Sequence, residues 1–545
     1  MVAVIRLAAA ALVAVSLAVS AADKPKRAPA PAPAAKAKAK AKAAFDVVEA
    51  SIADLQAAMS SGRITSRELV SLYLARIKAI DKAGPRINSV IELNPDAIAI
   101  AEALDKERKA SGARGPLHGI PVLIKDNIAT GDRMQTTAGS LALEGARAPR
   151  DSFVAAKLRE AGAVILGKTN LSEWANIRST RSTSGWSSRG GLTRNPYALD
   201  RDTSGSSSGS GAAIAASLAA AAIGTETDGS ITSPSSVNGL VGIKPTLGLV
   251  SRSGIIPIAH SQDTAGPMAR TVADAAALLT AIAGTDLRDD ATRDASPKAA
   301  DYTKALDRNA LKGARLGVVR SQFGGRNDLV SAEIEKALKI LEAQGAVLIE
   351  IPEIPNAGKY GATELEVLLT ELKADLAAYL KEWAPDAQVR DLADIIAFNE
   401  ANKEKVMPYF GQEHFINAQK KGGLDSKEYV EALANNRRLS RAEGIDKVMN
   451  DNKLDALVAP TGGPAWLIDF IKGDASGGSF TSPAAVAGYP HVTVPAGLVQ
   501  GLPCGISFVG MAWSEARLIA LAYAYERASH ARKPPTYVKT INAWQ

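Results

Sequence analysis

The chain has 545 residues and a formal net charge of +7. Residues 1–44 carry eight basic residues and one acidic residue, so they account for the whole excess and residues 45–545 are neutral overall. This balance excludes from the folded part the general basicity of nucleic-acid-binding domains. A single cysteine, Cys504, excludes an internal disulfide, and five histidines without a Cys/His cluster argue against a structural zinc site.

The first 22 residues have the pattern of a secretory signal peptide. Arg6 precedes the apolar run 7–19, and small residues follow this run. We expect cleavage after Ala21 or Ala22 and therefore an exported protein, periplasmic or secreted, without stable membrane insertion. The alternative is an uncleaved membrane anchor, although the apolar run is short for a bilayer span.

Residues 23–44 consist almost entirely of Ala, Pro and Lys. Such a stretch has no large apolar side chain to bury, so we expect a disordered, solvated linker. The folded domain is therefore expected to cover residues 45–545.

Helix and strand patterns alternate along this domain. Thr65-x-x-Glu68 forms a capping box that opens an amphipathic helix. The other predicted helices are 94–109, 152–161, 210–222 and 272–282, and the predicted strands are 121–124, 163–166, 240–243, 456–459, 491–494 and 505–509. The alternation predicts an α/β fold with a central, mostly parallel or mixed sheet. Residues 305–450 are more helical and charged, and we expect them to form an insertion on this core.

Two loops rich in Gly and Ser flank the Ala-rich helix, at 204–211 and 225–230. A flexible linker is the other interpretation of such a stretch, but these loops lie inside a folded region. They could place two hydroxyls and several backbone N–H groups around one point. Successive N–H groups before a serine can form an oxyanion hole.

A serine nucleophile needs a base, and no histidine of this chain lies in a recognisable triad context. Lys125 is the strongest candidate because it directly follows the apolar strand 121–124. Burial at the end of a core strand would lower its pKa toward neutrality. The alternative is that Lys125 is paired with the neighbouring Asp126.

Several ordered motifs together resemble the amidase signature family. They lie at 119–127, 204–211, 224–230, 241–246 and 263–267, and the similarity extends over roughly residues 46–535. The resemblance implies a compact α/β/α structure around a large mixed sheet. It also implies hydrolysis of amides by a Ser–cis-Ser–Lys triad that needs no metal or cofactor.

The resemblance carries residue roles onto this sequence. Lys125 would be the base, Ser206 the relay after a cis peptide bond, and Ser230 the nucleophile that forms an acyl-enzyme. The remaining positions concern the oxyanion hole and its support: the backbone N–H groups of Thr227, Asp228, Gly229 and Ser230 would bind the oxyanion, and Ser207 would support the hydrogen bonds around it.

The sequence departs from the common family pattern at two places. Asp228-Gly229 and Ser208-Gly209 stand where many members have Gly-Gly, and neither change removes a triad group. Segments 225–232 and 261–268 resemble the bacterial peptide amidases of the family. That similarity implies removal of the C-terminal amide of peptides. Other small amides or fatty-acid amides are the alternative substrates.

Three rival interpretations remain at this point. The first is an α/β-hydrolase esterase, because 205–209 matches G-x-S-x-G, but a polar turn precedes it instead of an apolar strand. The second is the tRNA-dependent glutamyl amidotransferase of the same family, whose catalytic chain works with partner chains and tRNA, and which the export signal and the neutral domain disfavour. The third is an inactive binding protein with the same fold, which the intact Lys125, Ser206 and Ser230 disfavour.

Overall fold

The computed structural model describes residues 45–323 and 328–541. Its strands are β1 (Val90–Leu93), β2 (Pro121–Lys125), β3 (Val164–Thr169), β4 (Trp186–Ser187), β5 (Gly191–Leu192), β6 (Ala221–Glu226), β7 (Val241–Lys244), β8 (Thr264–Ala269), β9 (Arg315–Val319), β10 (Val347–Ile351), β11 (Ala456–Pro460), β12 (His491–Val499) and β13 (Leu502–Val509). Eleven of them form one sheet in the order β1-β3-β2-β6-β8-β7-β12-β13-β11-β9-β10, and β4 pairs with β5.

The sheet is mixed, and the directions of its central strands decide which side chains lie at the same edge. β2 pairs in parallel with β3 and with β6, whereas β6 pairs antiparallel to β8. The C-terminal ends of β2 and β6 therefore lie at the same edge of the sheet, where β8 begins. Lys125 ends β2 and Glu226 ends β6, so both side chains lie at this edge.

Helices cover the sheet. They are α1 (Ile52–Ser60), α2 (Ser66–Arg76), α3 (Ala97–Ser111), α4 (Phe153–Glu160), α5 (Ser208–Ala215), α6 (Thr232–Val237), α7 (Val272–Ile282), α8 (Asp328–Ala343), α9 (Gly361–Trp383), α10 (Leu392–Ala401), α11 (Lys403–Val406), α12 (Glu413–Gln419), α13 (Lys427–Ser440), α14 (Asp446–Asn452), α15 (Ser482–Ala487) and α16 (Glu515–Ser529). The predicted α/β fold with a large mixed sheet is confirmed.

Local sequence signals explain several helix boundaries. The predicted capping box is present at α2, where the Thr65 side chain accepts from the Glu68 backbone N–H and the Glu68 carboxylate accepts from the Thr65 backbone N–H. The prediction of one Ala-rich helix over 210–222 is wrong in its second half, because α5 ends at Ala215 and β6 begins at Ala221. Alanine has no β-branch to signal a strand, and pairing with two neighbouring strands decides the outcome.

The segment 305–450 contributes more to the sheet than its charged, helical composition indicates. It supplies β9 and β10 at one end of the sheet, in addition to helices α8 to α14. The three strands predicted near the C-terminus are confirmed and join the sheet as β11, β12 and β13. The chain thus returns to the sheet on both sides of α9 to α14.

The residues from Phe45 onward form one compact unit. The predicted signal peptide 1–22 and linker 23–44 lie outside the described residues. Among the helices of the described residues, none has the length and apolar character needed to cross a membrane.

Candidate active site

Lys125 occupies a dry position at the end of β2. All five residues of this strand are buried, and the lysine side chain is fully inaccessible to solvent. Its Nζ lies 2.8 Å from Ser206 Oγ, 2.9 Å from Thr225 Oγ1 and 3.2 Å from the Thr225 carbonyl oxygen. Burial lowers the pKa of Lys125 to about 7, and the charges of Asp263 and Glu226 only partly oppose that change.

Asp126 does not pair with Lys125, so the alternative raised by the sequence is not observed. Its backbone oxygen accepts from the backbone N–H groups of Thr137 and Ala138. Its carboxylate contacts the Thr137 hydroxyl and lies 3.5 Å from Arg189 Nη1. The partners of Lys125 are therefore hydroxyl and carbonyl groups.

Ser206 lies in the loop that leads into α5. The peptide bond between Gly205 and Ser206 is cis, and the Ser206 carbonyl accepts from the backbone N–H of Ser172 at 3.1 Å. A Cβ at Gly205 would lie 2.2 Å from Ser172 Oγ, so a larger residue there would have to displace this hydroxyl, which accepts from the Gly185 N–H. No strand leads directly into this loop, which carries the G-x-S-x-G match, since residues 202–207 belong to no strand. The loop therefore lacks the geometry of a nucleophile elbow.

Ser230 lies in the turn between β6 and α6, and its side chain is almost completely buried. The Ser230 carbonyl oxygen accepts from the backbone N–H of Ser207 at 3.1 Å. The Glu226 carboxylate accepts from the backbone N–H groups of Ile231 and Thr232 at 2.8 and 2.9 Å. These two bonds hold the residues that directly follow Ser230. Because Ser206 and Ser207 are consecutive, the two Gly/Ser loops and Lys125 converge.

The residues before Ser230 present free backbone donors. Within the described residues, the N–H groups of Asp228, Gly229 and Ser230 have no hydrogen-bond acceptor. Gly229 has a φ of +79°, a conformation that favours glycine. These N–H groups could therefore receive an oxyanion.

Thr227 and Ser207 support this loop from two sides. The Thr227 hydroxyl donates to Asp263 Oδ1 at 2.5 Å, and Asp263 Oδ2 accepts from the backbone N–H groups of Ile258 and Ala259. Ser207 Oγ donates to the Thr225 carbonyl at 3.1 Å and accepts from the Thr225 N–H at 3.2 Å. The sequence motif that contains Asp263 thus braces the loop that precedes Ser230.

Some residues that contact the site were not singled out from the sequence. Thr225 begins the second Gly/Ser loop, so a closer look at that motif could have found it. Asn127 donates to Thr225 Oγ1 at 3.0 Å and follows Lys125 in the first motif. Gln262 donates to the Thr227 carbonyl at 3.3 Å and to Glu364 Oε1 at 3.0 Å. Glu364 lies in α9 and has no sequence signal that links it to the site.

One group of possible metal ligands occurs among the described residues: His260, Glu371 and Asp375. The two ring nitrogens of His260 face different carboxylates, with Nδ1 2.8 Å from Asp375 and Nε2 3.4 Å from Glu371. Glu371 also accepts from the Tyr429 hydroxyl at 2.7 Å. These groups satisfy one another as ion pairs and hydrogen bonds without an ion.

Comparisons with known proteins identify the family of this chain. Residues 68–519 match the sequence profile of the amidase family. A solved structure of the peptide amidase from Stenotrophomonas maltophilia is 51% identical and superposes with a TM-score of 0.85, covering 90% of this chain and 99% of that one. A probable amidase of Arabidopsis thaliana is 44% identical over 507 residues, covering 91% of this chain and 93% of its own length.

A putative amidase of Schizosaccharomyces pombe is a more distant relative. It is 37% identical over 529 residues, covering 91% of this chain and 88% of its own length. All of these matches are amidases, and each extends over nearly the whole domain that the structure describes. The chain therefore belongs to the amidase family and is an amide hydrolase.

Proposed function

We propose that this amidase cleaves its substrate through an acyl-enzyme on Ser230, with Ser206 as the proton relay and Lys125 as the base. The Ser230 hydroxyl gives its proton to Ser206, which gives its own proton to neutral Lys125. Ser230 Oγ then bonds to the amide carbonyl carbon. The relay returns the proton to the leaving nitrogen, the C–N bond breaks and ammonia or an amine departs. Water hydrolyses the ester by the same relay.

The observation that carries the proposal is the 2.8 Å contact between Lys125 Nζ and Ser206 Oγ in a fully buried position. The two Thr225 oxygens accept from Nζ. A neutral amine held by those two bonds directs its lone pair toward Ser206. The pKa of about 7 leaves a large neutral fraction near neutral pH.

In this proposal, the oxyanion of the tetrahedral intermediate is bound by the backbone N–H groups of Thr227, Asp228, Gly229 and Ser230. Preorganised donors in a water-poor site stabilise developing charge strongly, and removing one such donor typically costs about 10²- to 10³-fold in kcat. The two hydrogen bonds between Ser207 and the Thr225 backbone hold the two Gly/Ser loops together. Ser207 therefore acts through the loops, not on the substrate.

We propose C-terminal amides of peptides as the substrate class. The support is the 51% identity to the Stenotrophomonas maltophilia peptide amidase over 90% of this chain. Identity to the putative amidase of Schizosaccharomyces pombe is lower, at 37%. A preference for other small amides or for fatty-acid amides would change the substrate assignment.

The test is ammonia release from an N-acetylated dipeptide amide and from a fatty-acid primary amide. We expect the wild type to prefer the peptide amide and Ser230→Ala to lose at least about 10³-fold in kcat. Ser233→Ala is the matched control, because Ser233 lies in the first turn of α6, three residues after Ser230, and its hydroxyl contacts Ser204. Activity that survives in Ser230→Ala contradicts the nucleophile, whereas preference for the fatty amide contradicts only the substrate class.

We further propose that the protein is exported and cleaved after Ala21 or Ala22. The support is the basic, apolar and small-residue pattern of residues 1–22. N-terminal sequencing of the protein from the periplasmic fraction of a bacterial host should give Ala22 or Asp23 as the first residue. A product that starts at Met1 in the membrane fraction would support the anchor instead.

A further inference from the structure

Thr227 is held by two consecutive residues that directly precede β8. The Asp263 carboxylate accepts from the Thr227 hydroxyl, and Gln262 Nε2 donates to the Thr227 carbonyl oxygen at 3.3 Å. Gln262 is buried, and the same nitrogen donates to Glu364 Oε1 at 3.0 Å. Because both neighbours are oxygen acceptors, the NH₂ end of the Gln262 amide lies between them, and each of its two hydrogens has a partner.

Helix α9 holds the segment that contains Gln262 through three acidic side chains. Their spacing places them on one face of the helix, and they are Glu364, Glu371 and Asp375. In this order they accept from the Gln262 side chain at 3.0 Å, the Ser261 backbone N–H at 2.9 Å and the His260 backbone N–H at 3.1 Å. The base of the Gln262 side chain is therefore fixed, and so is its reach toward Thr227.

The bond to the Thr227 carbonyl sets the direction of the next backbone N–H group. In a trans peptide, the C=O group and the N–H group that follows it lie in one plane and point in opposite directions. The Thr227–Asp228 peptide is trans, since Gly205–Ser206 is the one cis bond among the described residues. The Asp228 N–H therefore points away from Gln262, and it has no acceptor within the part of the chain that the structure describes.

We propose that Gln262 is a positioning residue that holds the Thr227 carbonyl and so directs the Asp228 N–H into the oxyanion hole beside Ser230. This inference rests on the role proposed for Ser230. Without the Gln262 amide, the Thr227–Asp228 peptide can rotate and turn one donor away from the oxyanion. The oxygen carries full charge only in the tetrahedral intermediate, so the loss should fall on kcat and leave KM nearly unchanged.

Gln262→Met tests this role, because methionine has a similar length and no hydrogen-bond donor. We expect kcat for an N-acetylated dipeptide amide to fall about 10- to 100-fold at nearly constant KM, less than the loss of about 10²- to 10³-fold that follows removal of a whole donor. Gln412→Met is the matched control, because Gln412 is also buried and donates to a backbone carbonyl, that of Ile396, at 3.2 Å. This control should keep the wild-type kcat even where its Tm falls.

A peptide aldehyde reports on the oxyanion hole without turnover. Ser230 Oγ bonds to the aldehyde carbon, the π electron pair of the C=O bond moves to the oxygen, and the serine proton passes to the relay. The inhibition constant of an N-acetylated dipeptide aldehyde should therefore rise in Gln262→Met by the factor by which kcat falls. The matching dipeptide alcohol has no carbonyl at that position and should bind both proteins equally. Neither inhibition constant depends on the fraction of enzyme that is folded.

Gln262→Asn keeps the test decisive where the methionine variant does not fold. It leaves a polar amide in the buried position, but it is one methylene shorter, so one amide no longer reaches both Thr227 and Glu364. We expect kcat and aldehyde affinity to fall together in this variant, by a smaller factor than in Gln262→Met.

The pattern of these effects decides the proposal. A lower Tm with unchanged kcat and unchanged aldehyde binding in the Gln262 variants would show a structural role only and overturn the positioning role. Equal weakening of aldehyde and alcohol would overturn it as well, because the effect would then concern the bound peptide and not the oxyanion. Failure of the role proposed for Ser230 gives a different result, since Ser230→Ala would then stay active and bind the aldehyde as tightly as the wild type.

Discussion

Two strands of the central sheet end in a buried lysine, and only one of these lysines faces a serine. Lys125 ends β2 and Lys244 ends β7, and neither side chain is exposed to solvent. Burial lowers the pKa of both, to about 7 for Lys125 and about 8 for Lys244. Burial at the end of a strand therefore does not by itself distinguish a base from a structural cation.

The partners make the difference. Lys125 Nζ contacts the hydroxyls of Ser206 and Thr225, and hydroxyl groups can pass protons. Lys244 Nζ donates to the Pro245 carbonyl at 3.1 Å, which holds no proton to give. Its positive charge instead lowers the pKa of the buried Glu226 against the larger effect of burial. Lys244 thus stabilises the carboxylate that binds the turn after Ser230, whereas the hydroxyl partners of Lys125 suit the proton transfer that we propose for it.

This comparison can be tested by replacing each lysine with methionine. Of all the tests, this one should give the largest effect. Lys125→Met should lower kcat/KM for an amide by about 10²- to 10⁴-fold, the usual contribution of a general base. Its Tm should stay equal or rise, because methionine fills the same space without a desolvated amine. Steady-state kinetics and thermal unfolding of the same preparations measure both quantities.

Lys244→Met should show the opposite pattern. Glu226 then remains buried without its compensating charge, and we expect a loss of about 1–3 kcal/mol in the free energy of unfolding. The folded fraction should keep most of its kcat. If both variants lose activity equally at full folding, the distinction between a base and a structural cation is wrong.

Some features of these two regions can be predicted from the sequence alone. An apolar strand that ends in lysine makes Lys125 a candidate base, and two Gly/Ser loops indicate where hydroxyl groups gather, because these features are local. The choice of Ser206 and Ser230 within the loops follows from the resemblance to the amidase signature family. Strand β6 escaped prediction because Ala219–Ala222 has neither helical nor strand periodicity, so pairing between neighbouring strands decides its structure.

Glu364 could not be predicted for a different reason. It lies more than a hundred residues from the Gly/Ser loops, in a helix whose pattern is that of an ordinary amphipathic segment. Only the packing of α9 brings its carboxyl to Gln262, which also donates to the Thr227 carbonyl. The motifs thus supply the candidate site residues, whereas the contact of Glu364 with the site comes from long-range packing.

The pH dependence sharpens the comparison further. Protonated Lys125 cannot accept a proton, so kcat/KM should decline as pH falls through about 7, the pKa of Lys125. We call this decline the acid limb of the pH profile. A single titrating group gives a decline of about tenfold per pH unit below its pKa. Lys244→Met should keep this acid limb with the same slope, moved only toward lower pH, because Glu226 then holds a proton more readily and its charge no longer raises the pKa of Lys125. An N-acetylated peptide amide is the suitable substrate, since it does not titrate in this range. Loss of the acid limb in Lys244→Met, or its movement to higher pH, would contradict the assignment of the limb to Lys125.

The smallest effect is expected from the hydroxyl beside the base. Thr225→Val removes the Oγ1 acceptor of Lys125 Nζ and leaves the Asn127 amide, which donates to the same oxygen, without a partner. Both changes disfavour the charged amine more than the neutral one, so the pKa of Lys125 should fall and the acid limb should move to lower pH.

We expect the acid limb of Thr225→Val to move by up to about one pH unit, which corresponds to about 1.4 kcal/mol between the two protonation states. At pH 8, kcat should fall only several-fold, because the Thr225 carbonyl still accepts from Nζ. Thr225→Ser keeps the hydroxyl and loses only the methyl group, so its acid limb should remain at the wild-type position. If valine and serine shift the limb equally, the hydroxyl has no influence on the base. The chemical difference between Lys125 and Lys244 would then have to lie in Ser206 alone.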